Sequence, residues 1–94
     1  MIQKSEKYYF IKNGWSFENN ENCACKIFKF KNFTSAFSWM TEIAFAAEKN
    51  DHHPDWKNIY NTVEVTLSTH DIETLSNKDL ELAKLMDELY EKFI

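Results

Sequence analysis

Asn32-Phe33-Thr34-Ser35-Ala36-Phe37-Ser38-Trp39-Met40-Thr41-Glu42-Ile43-Ala44-Phe45-Ala46-Ala47 is the stretch around which the rest of the chain must be arranged. Asn32 suits a helix N-cap, because its side-chain oxygen can accept a first-turn backbone N–H. Phe33, Ala36, Phe37, Met40, Ile43, Ala44 and Ala47 recur at helical spacing and form one broad apolar stripe. Trp39, Ala46 and Ser35 lie beside that stripe, which leaves two readings open. Either the helix has a second buried surface, such as a subunit contact, or its core face is simply wide. The polar stretch Glu48 to Trp56 ends the helix.

Towards the N-terminus, Trp15 to Glu18 and Cys23 to Phe30 read as two strands joined by the turn-rich Asn19-Asn20-Glu21-Asn22. Ala24, Phe28 and Phe30 share one face of the second strand, with Lys26 also on it. Asn13-Gly14 signals a turn, and Tyr8-Tyr9-Phe10-Ile11 before it is too short to classify by period. Towards the C-terminus, Lys57 to His70 alternates in its second half, with Val63, Val65 and Leu67 on one face and Glu64, Thr66, Ser68 and His70 on the other. Asn61-Thr62 can split this segment into two short strands. A last helix starts at Ser76, with Asp79 completing a relative of the capping box and Leu75 and Leu80 placed as a hydrophobic staple. Leu82, Leu85, Met86, Leu89 and Phe93 give its buried face. Two hairpins alternating with helices predict an α+β fold, a four-stranded antiparallel sheet with two or three helices packed on one face. Residues 1–94 are expected to form one domain.

A chain of 94 residues buries only about 60–65% of its unfolded surface, so its core must be dense or shared. Eight Phe, four Tyr and three Trp favour density, since aromatic side chains bury the most area each. Eleven basic against fifteen acidic residues leave a net charge of −4, with no arginine, which argues against direct nucleic-acid binding. The apolar runs Tyr8 to Ile11 and Ile43 to Ala47 fall far short of the ~20 residues a membrane span needs, and no signal peptide is apparent. A cytoplasmic location is the expectation. Cys23 and Cys25 would project from one strand face with Cα atoms roughly 6.5–7 Å apart. That is the outer limit for a disulfide, so buried thiols are the preferred reading.

The chemistry concentrates at His52, His53 and His70, with Glu48, Asp51, Asp55, Asp71 and Asp79 around them. Imidazole gives and takes protons near neutral pH. Two consecutive histidines splay their rings, Pro54 stiffens the backbone beside them, and a third imidazole from a strand end could close a pocket. Such a group suits removal of one proton and delivery of another, which is elimination or tautomerisation chemistry. A three-histidine zinc site is the competing chemistry, although adjacent histidines chelate one ion poorly. Ordinary surface histidines are the third possibility, and a purely structural capping role is open for Asp79.

The run Glu48-Lys49-Asn50-Asp51-His52-His53-Pro54-Asp55-Trp56, with Asn58-Ile59-Tyr60-Asn61 and Leu67-Ser68-Thr69-His70 after it, resembles the signature of the pterin-4a-carbinolamine dehydratases. That pattern places a carboxylate ahead of His-His-Pro, then an aromatic residue, a further His and an Asp. Glu48, His52, His53, Pro54, Tyr60, His70 and Asp79 occupy those places. The likeness extends over roughly residues 14 to 90. Two departures stand out. Only a short segment precedes Trp15, so the family's opening helix is truncated or replaced by a strand from Tyr8 to Ile11. Thr74 also stands where the family tends to have Gly.

The resemblance implies a lyase that dehydrates 4a-hydroxytetrahydropterin, the product of aromatic amino-acid hydroxylases, to quinonoid dihydropterin for recycling. It implies His52 and His70 as an acid–base pair and His53 as a holder of the pterin ring. Glu48, Asp51, Pro54, Trp56 and Thr69 would contact or shape the substrate site. Tyr60 would support it, and Asp79 would cap the last helix or steady His70. No metal and no cofactor are implied. The expected partners are the pterin, a second copy or more of the chain as a homodimer or homotetramer, and a hydroxylase by functional coupling. Neither nucleic acid nor membrane is expected. The alternatives are a non-catalytic binding module, such as the dimerisation cofactor of a transcription factor, or a histidine-ligated metal hydrolase.

Overall fold

The computed structural model describes residues 2–94. Helix α1 (Lys4–Lys12) leads into strands β1 (Ser16–Glu18) and β2 (Cys23–Lys29), followed by α2 (Phe33–Lys49), β3 (Asp55–Ile59), β4 (Thr62–Leu67) and α3 (Asn77–Tyr90). Two single-turn 3-10 segments, His70–Ile72 and Glu91–Phe93, complete the order. The four strands form one antiparallel sheet in the order β1-β2-β4-β3. This is the α+β architecture expected, with three helices.

Strand alternation sorts the side chains into two layers. Phe17, Ala24, Phe28, Val63, Val65 and Leu67 turn towards the helices and join one apolar cluster. Ile27, Lys29, Glu64 and Lys57 lie on the opposite, exposed face. Cys23 and Cys25 are half-buried free thiols on that outer face rather than core residues. Burial nevertheless pushes the Cys25 thiol up from its ordinary range.

In α2 the buried residues are Ala36, Trp39, Ile43 and Ala47. Trp39 is 0% exposed, its ring 4.6 Å from that of Phe28 and its indole N–H donating to the Met86 carbonyl at 3.1 Å. The expectation of a subunit contact at Trp39 is therefore corrected: the largest side chain of the helix takes the centre of the core. Phe33 and Phe37, expected in the core stripe, are 49% and 54% exposed. Ala44 is exposed beside them.

The opening segment is a helix, not a strand. A capping box between Gln3 and Glu6 starts α1. Gly14, at φ 85°, ends it in the left-handed conformation that glycine adopts at least cost. Tyr9 OH and Trp15 Nε1 donate to Asp87 Oδ2 on α3 at 2.7 and 3.0 Å, and Lys26 Nζ pairs with Asp87 Oδ1 at 2.6 Å. This explains how a lysine sits on the core-facing side of β2: its ammonium lies over the Phe28 ring, 4.8 Å from the centroid, and its charge meets Asp87. No helix among the described residues is long and apolar enough to cross a membrane.

Candidate active site

The C-terminus of α2 sets the site's backbone. Asp51 adopts φ 49°, the left-handed conformation that Asp tolerates better than most residues. Asp51 N–H then reaches the Glu48 carbonyl at 3.2 Å and His52 N–H the Ala47 carbonyl at 3.0 Å. That pattern closes a helix and fixes the direction of the residue after the turn. The same arrangement follows α1, where Trp15 N–H meets the Phe10 carbonyl at 2.9 Å. His53 precedes Pro54, which disfavours continuing the helix and favours extended backbone. β3 follows from Asp55.

Asp79 is the other fixed point. It is 0% exposed, the one buried charged residue of the described structure. Its Oδ2 accepts from Thr69 Oγ1 at 2.7 Å and from Ser76 N–H at 2.9 Å, and its Oδ1 lies 2.6 Å from His52 Nε2. A carboxylate only accepts hydrogen bonds, so His52 Nε2 carries the proton in this contact and Nδ1 is the ring atom left for other partners. The capping box with Ser76 also holds Asp79 at the start of α3. Of the two alternatives for Asp79, capping of the last helix is what the structure has, and the imidazole that Asp79 contacts is His52 rather than His70. The His52 side chain is only 11% exposed, so its ring is held at the wall of the site.

An open cleft of about 550 Å³ gathers the three histidines; its lining includes Asp51, His52, His53, Pro54, Thr69 and His70. Asp55, Asp71 and Lys78 line it as well. Its size suits a bicyclic ligand. His70 does not end a strand as expected. β4 stops at Leu67 and His70 opens the 3-10 turn, because Thr69 leaves the ladder to bridge Thr74. His70 is exposed and makes no side-chain hydrogen bond among the described residues. His53 pairs with Glu48 at 3.1 Å, both well exposed.

Several expected residues stand back from the cleft. Trp56 faces the core, its ring 6.2 Å from Trp39. Tyr60 is in the β3–β4 turn at φ 52°, at the opposite end of β3 from the histidines. Glu48 reaches the site only through His53. The Thr69 hydroxyl is engaged by Asp79 and by Ser76 Oγ. Lys78 went unmentioned in the sequence reading, although its place beside Asp79 was a usable signal. A neighbouring groove of about 460 Å³ between α2 and α3 shares His52 and Lys78 with the cleft. Among the described residues, no three His, Cys, Asp or Glu side chains are grouped so as to hold a metal ion.

Comparison with known proteins places this geometry in context. A family model described as pterin 4 alpha carbinolamine dehydratase matches residues 2–89. A protein of Jannaschia sp. (strain CCS1), provisionally named a pterin-4-alpha-carbinolamine dehydratase, is 54% identical over 77 residues, 82% of this chain and 79% of its own. A protein of Afipia carboxidovorans with the same provisional name is 49% identical over 80 residues, 85% of this chain and 80% of its own. The crystal structure of a transcriptional coactivator/pterin dehydratase from Brucella melitensis superposes with a TM-score of 0.86 at 36% identity, over 95% of this chain and 97% of that one. A pterin dehydratase-like protein identified as a RuBisCO assembly factor in the alpha-carboxysome, at TM-score 0.70 and 18% identity over 82% of this chain and 89% of that one, shares the fold alone.

Proposed function

We propose that this chain, which belongs to the pterin 4 alpha carbinolamine dehydratase family, catalyses the loss of water from 4a-hydroxytetrahydropterin by proton transfer through its histidines. The observation that carries the reading is the convergence of His52, His53 and His70 on one cleft of ligand size, with a buried carboxylate behind one of them. In the reaction a proton goes to the 4a-hydroxyl oxygen, the C4a–O bond breaks to release water, the N5 proton leaves, and a C4a–N5 double bond forms. The balance needs one acid and one base and no electron transfer.

Asp79 supports a division of labour. With Nε2–H directed at Asp79, His52 offers the Nδ1 lone pair and is suited to accept the N5 proton. His70, exposed in the same cleft and without a side-chain hydrogen bond among the described residues, is suited to deliver a proton to the departing hydroxyl. His53, paired with Glu48 at the rim, would hold the ring. Placed acid–base groups contribute about 10²–10⁴ in rate. Coupling to a hydroxylase that makes the substrate belongs to the same reading.

We also propose self-association through the outward face of α2, where Phe33, Phe37 and Phe45 are 49%, 54% and 75% exposed. An apolar surface of that kind on a helix ordinarily seeks a partner. A purely binding role needs no arrangement of His52 against a buried Asp, and for that reason dehydration is preferred.

The test is direct. Synthetic carbinolamine, followed by ultraviolet absorbance, should lose water faster with the protein present than without it. A rate equal to the uncatalysed one, in protein shown to be folded, overturns the assignment.

A further inference from the structure

We propose that Cys23 and Cys25 form a two-thiolate site for a soft monovalent cation, copper(I) or an ion of its class, on the outer face of the sheet. The two residues flank Ala24 in β2, and alternate side chains of a strand project from one face. Ala24 is buried in the core, so both thiols are turned outwards, where they are half-buried and free. No histidine of the cleft takes part.

The backbone restricts what this pair can do. β2 is an inner strand: Cys23 stands opposite Glu18 of β1, and Cys25 stands between Ser16 of β1 and Thr66 of β4. Paired on both sides, the strand keeps its extended rise, which leaves the two Cα atoms roughly 6.5–7 Å apart. A disulfide needs Cβ atoms only about 3.5–4.5 Å apart, and parallel side chains on a held strand do not come so close. A metal bridge is longer. Two metal–thiolate bonds of about 2.3 Å in line span about 4.6 Å between sulfurs, a separation reached when the side chains lean towards each other along the strand. The spacing that resists a disulfide therefore accommodates an ion.

The surroundings select which ion. Among the described residues no third His, Cys, Asp or Glu joins the thiols in a metal-holding group, so the four-ligand set of a structural zinc site is lacking. Copper(I) is soft, prefers sulfur and accepts two ligands in line. A hollow of about 500 Å³ opens onto Cys25, with Glu18, Glu64 and Thr66 in its lining. The two exposed carboxylates draw cations towards it. The lysine that borders it, Lys26, has its ammonium committed to Asp87 at 2.6 Å. Thr66 Oγ1 lies 3.6 Å from Cys25 Sγ and can donate to the thiolate behind the ion. Binding exchanges the two thiol protons for one cation and leaves both sulfurs reduced.

The experiment titrates the full chain with copper(I) without oxygen, in competition with a chromogenic copper(I) chelator. Wild type, Cys23→Ser and Cys25→Ser are compared. The expected result is one ion per wild-type chain, held at least about 100-fold more weakly by each variant, since losing a ligand costs no less than losing a group behind one. X-ray absorption of the loaded wild-type protein should show two sulfur neighbours and no nitrogen. No uptake, or an affinity unchanged in either variant, overturns the proposal. So does one ion shared by two chains, since the ion then bridges copies, and so does zinc(II) held more tightly than copper(I). Should a variant fail to fold, X-ray absorption on the wild-type protein decides, and nitrogen or oxygen neighbours overturn the site.

Discussion

Asp79 stands where stability and chemistry meet. One oxygen closes the capping box and binds Thr69, while the other faces His52 at 2.6 Å. Replacing Asp79 with Asn keeps the shape but allows an amide N–H to point at the imidazole, which favours the opposite tautomer. The expected outcome is a fall in turnover of about 10–100-fold, typical for removal of a group that orients a histidine. A stability loss of about 1 kcal/mol at the helix N-terminus should accompany it. The ¹⁵N chemical shifts of the His52 ring distinguish the two effects. A merely structural Asp79 would leave them unmoved, whereas a positioning role requires the proton to shift between Nε2 and Nδ1. The sequence marked Asp79 as a member of the motif and as a cap. It could not reveal which imidazole lay opposite, because His52 and His70 come from separate segments and only the folded turn after β4 decides between them.

At the scale of elements, α2 shows what periodicity can and cannot disclose. Its N-cap, Asn32, and its polar C-terminus were legible, and the structure starts and ends the helix there. Its rotational setting was not, because apolar residues surround most of the helix and any broad stripe through them looks plausible. Trp39 decides the matter by size: only the core between sheet and α3 accommodates it. Trp39→Glu is therefore expected to unfold the subunit, combining a large cavity with a buried charge at more than ~4 kcal/mol. Chemical denaturation should find little or no folded baseline; a folded variant with near-wild-type stability would contradict the packing described.

The opening helix poses the opposite problem. Tyr8 to Ile11 is too short to show a period, and α1 is held by tertiary contacts to Asp87 that no local reading supplies. Burial, followed by the hydrogen bond and charge of Asp87, raises the Tyr9 phenol well above its usual value near 10. The folded state thus keeps a proton that the unfolded chain releases. This contribution is fully present below about pH 10 and declines as pH rises further. Tyr9→Phe should lose about 1–2 kcal/mol at neutral pH with its hydrogen bond to a charged acceptor. Above pH 10 its stability should fall less steeply than that of the wild type, as measured by urea midpoints across the series. Parallel curves would mean that the phenol is not held as described.

For the whole molecule, composition and hairpin order were enough to foresee an antiparallel sheet with helices on one side, and the observed four-stranded antiparallel sheet agrees, while the strand order β1-β2-β4-β3 and the register appear only in the folded chain. The exposed Phe33, Phe37 and Phe45 were masked in the sequence by the same ambiguity that hid Trp39. If these residues join copies of the chain, sedimentation at micromolar concentration should give a species larger than 11.2 kDa. Phe37→Glu/Phe45→Glu should reduce it to the monomer without loss of helical signal. A wild-type monomer at that concentration would refute self-association through α2.

The central claim is that the histidine cleft performs the dehydration, and a double-variant series on synthetic carbinolamine tests it most directly. His52→Ala and His70→Ala should each lower the turnover number yet leave measurable activity, since the remaining imidazole can still exchange protons with the bound pterin. The double variant should lose more than the product of the two single effects if each histidine partly substitutes for the other. Circular dichroism should show all three proteins folded. Catalysis by the folded double variant at the wild-type rate would contradict the account, because the reaction would then have to occur elsewhere on the molecule.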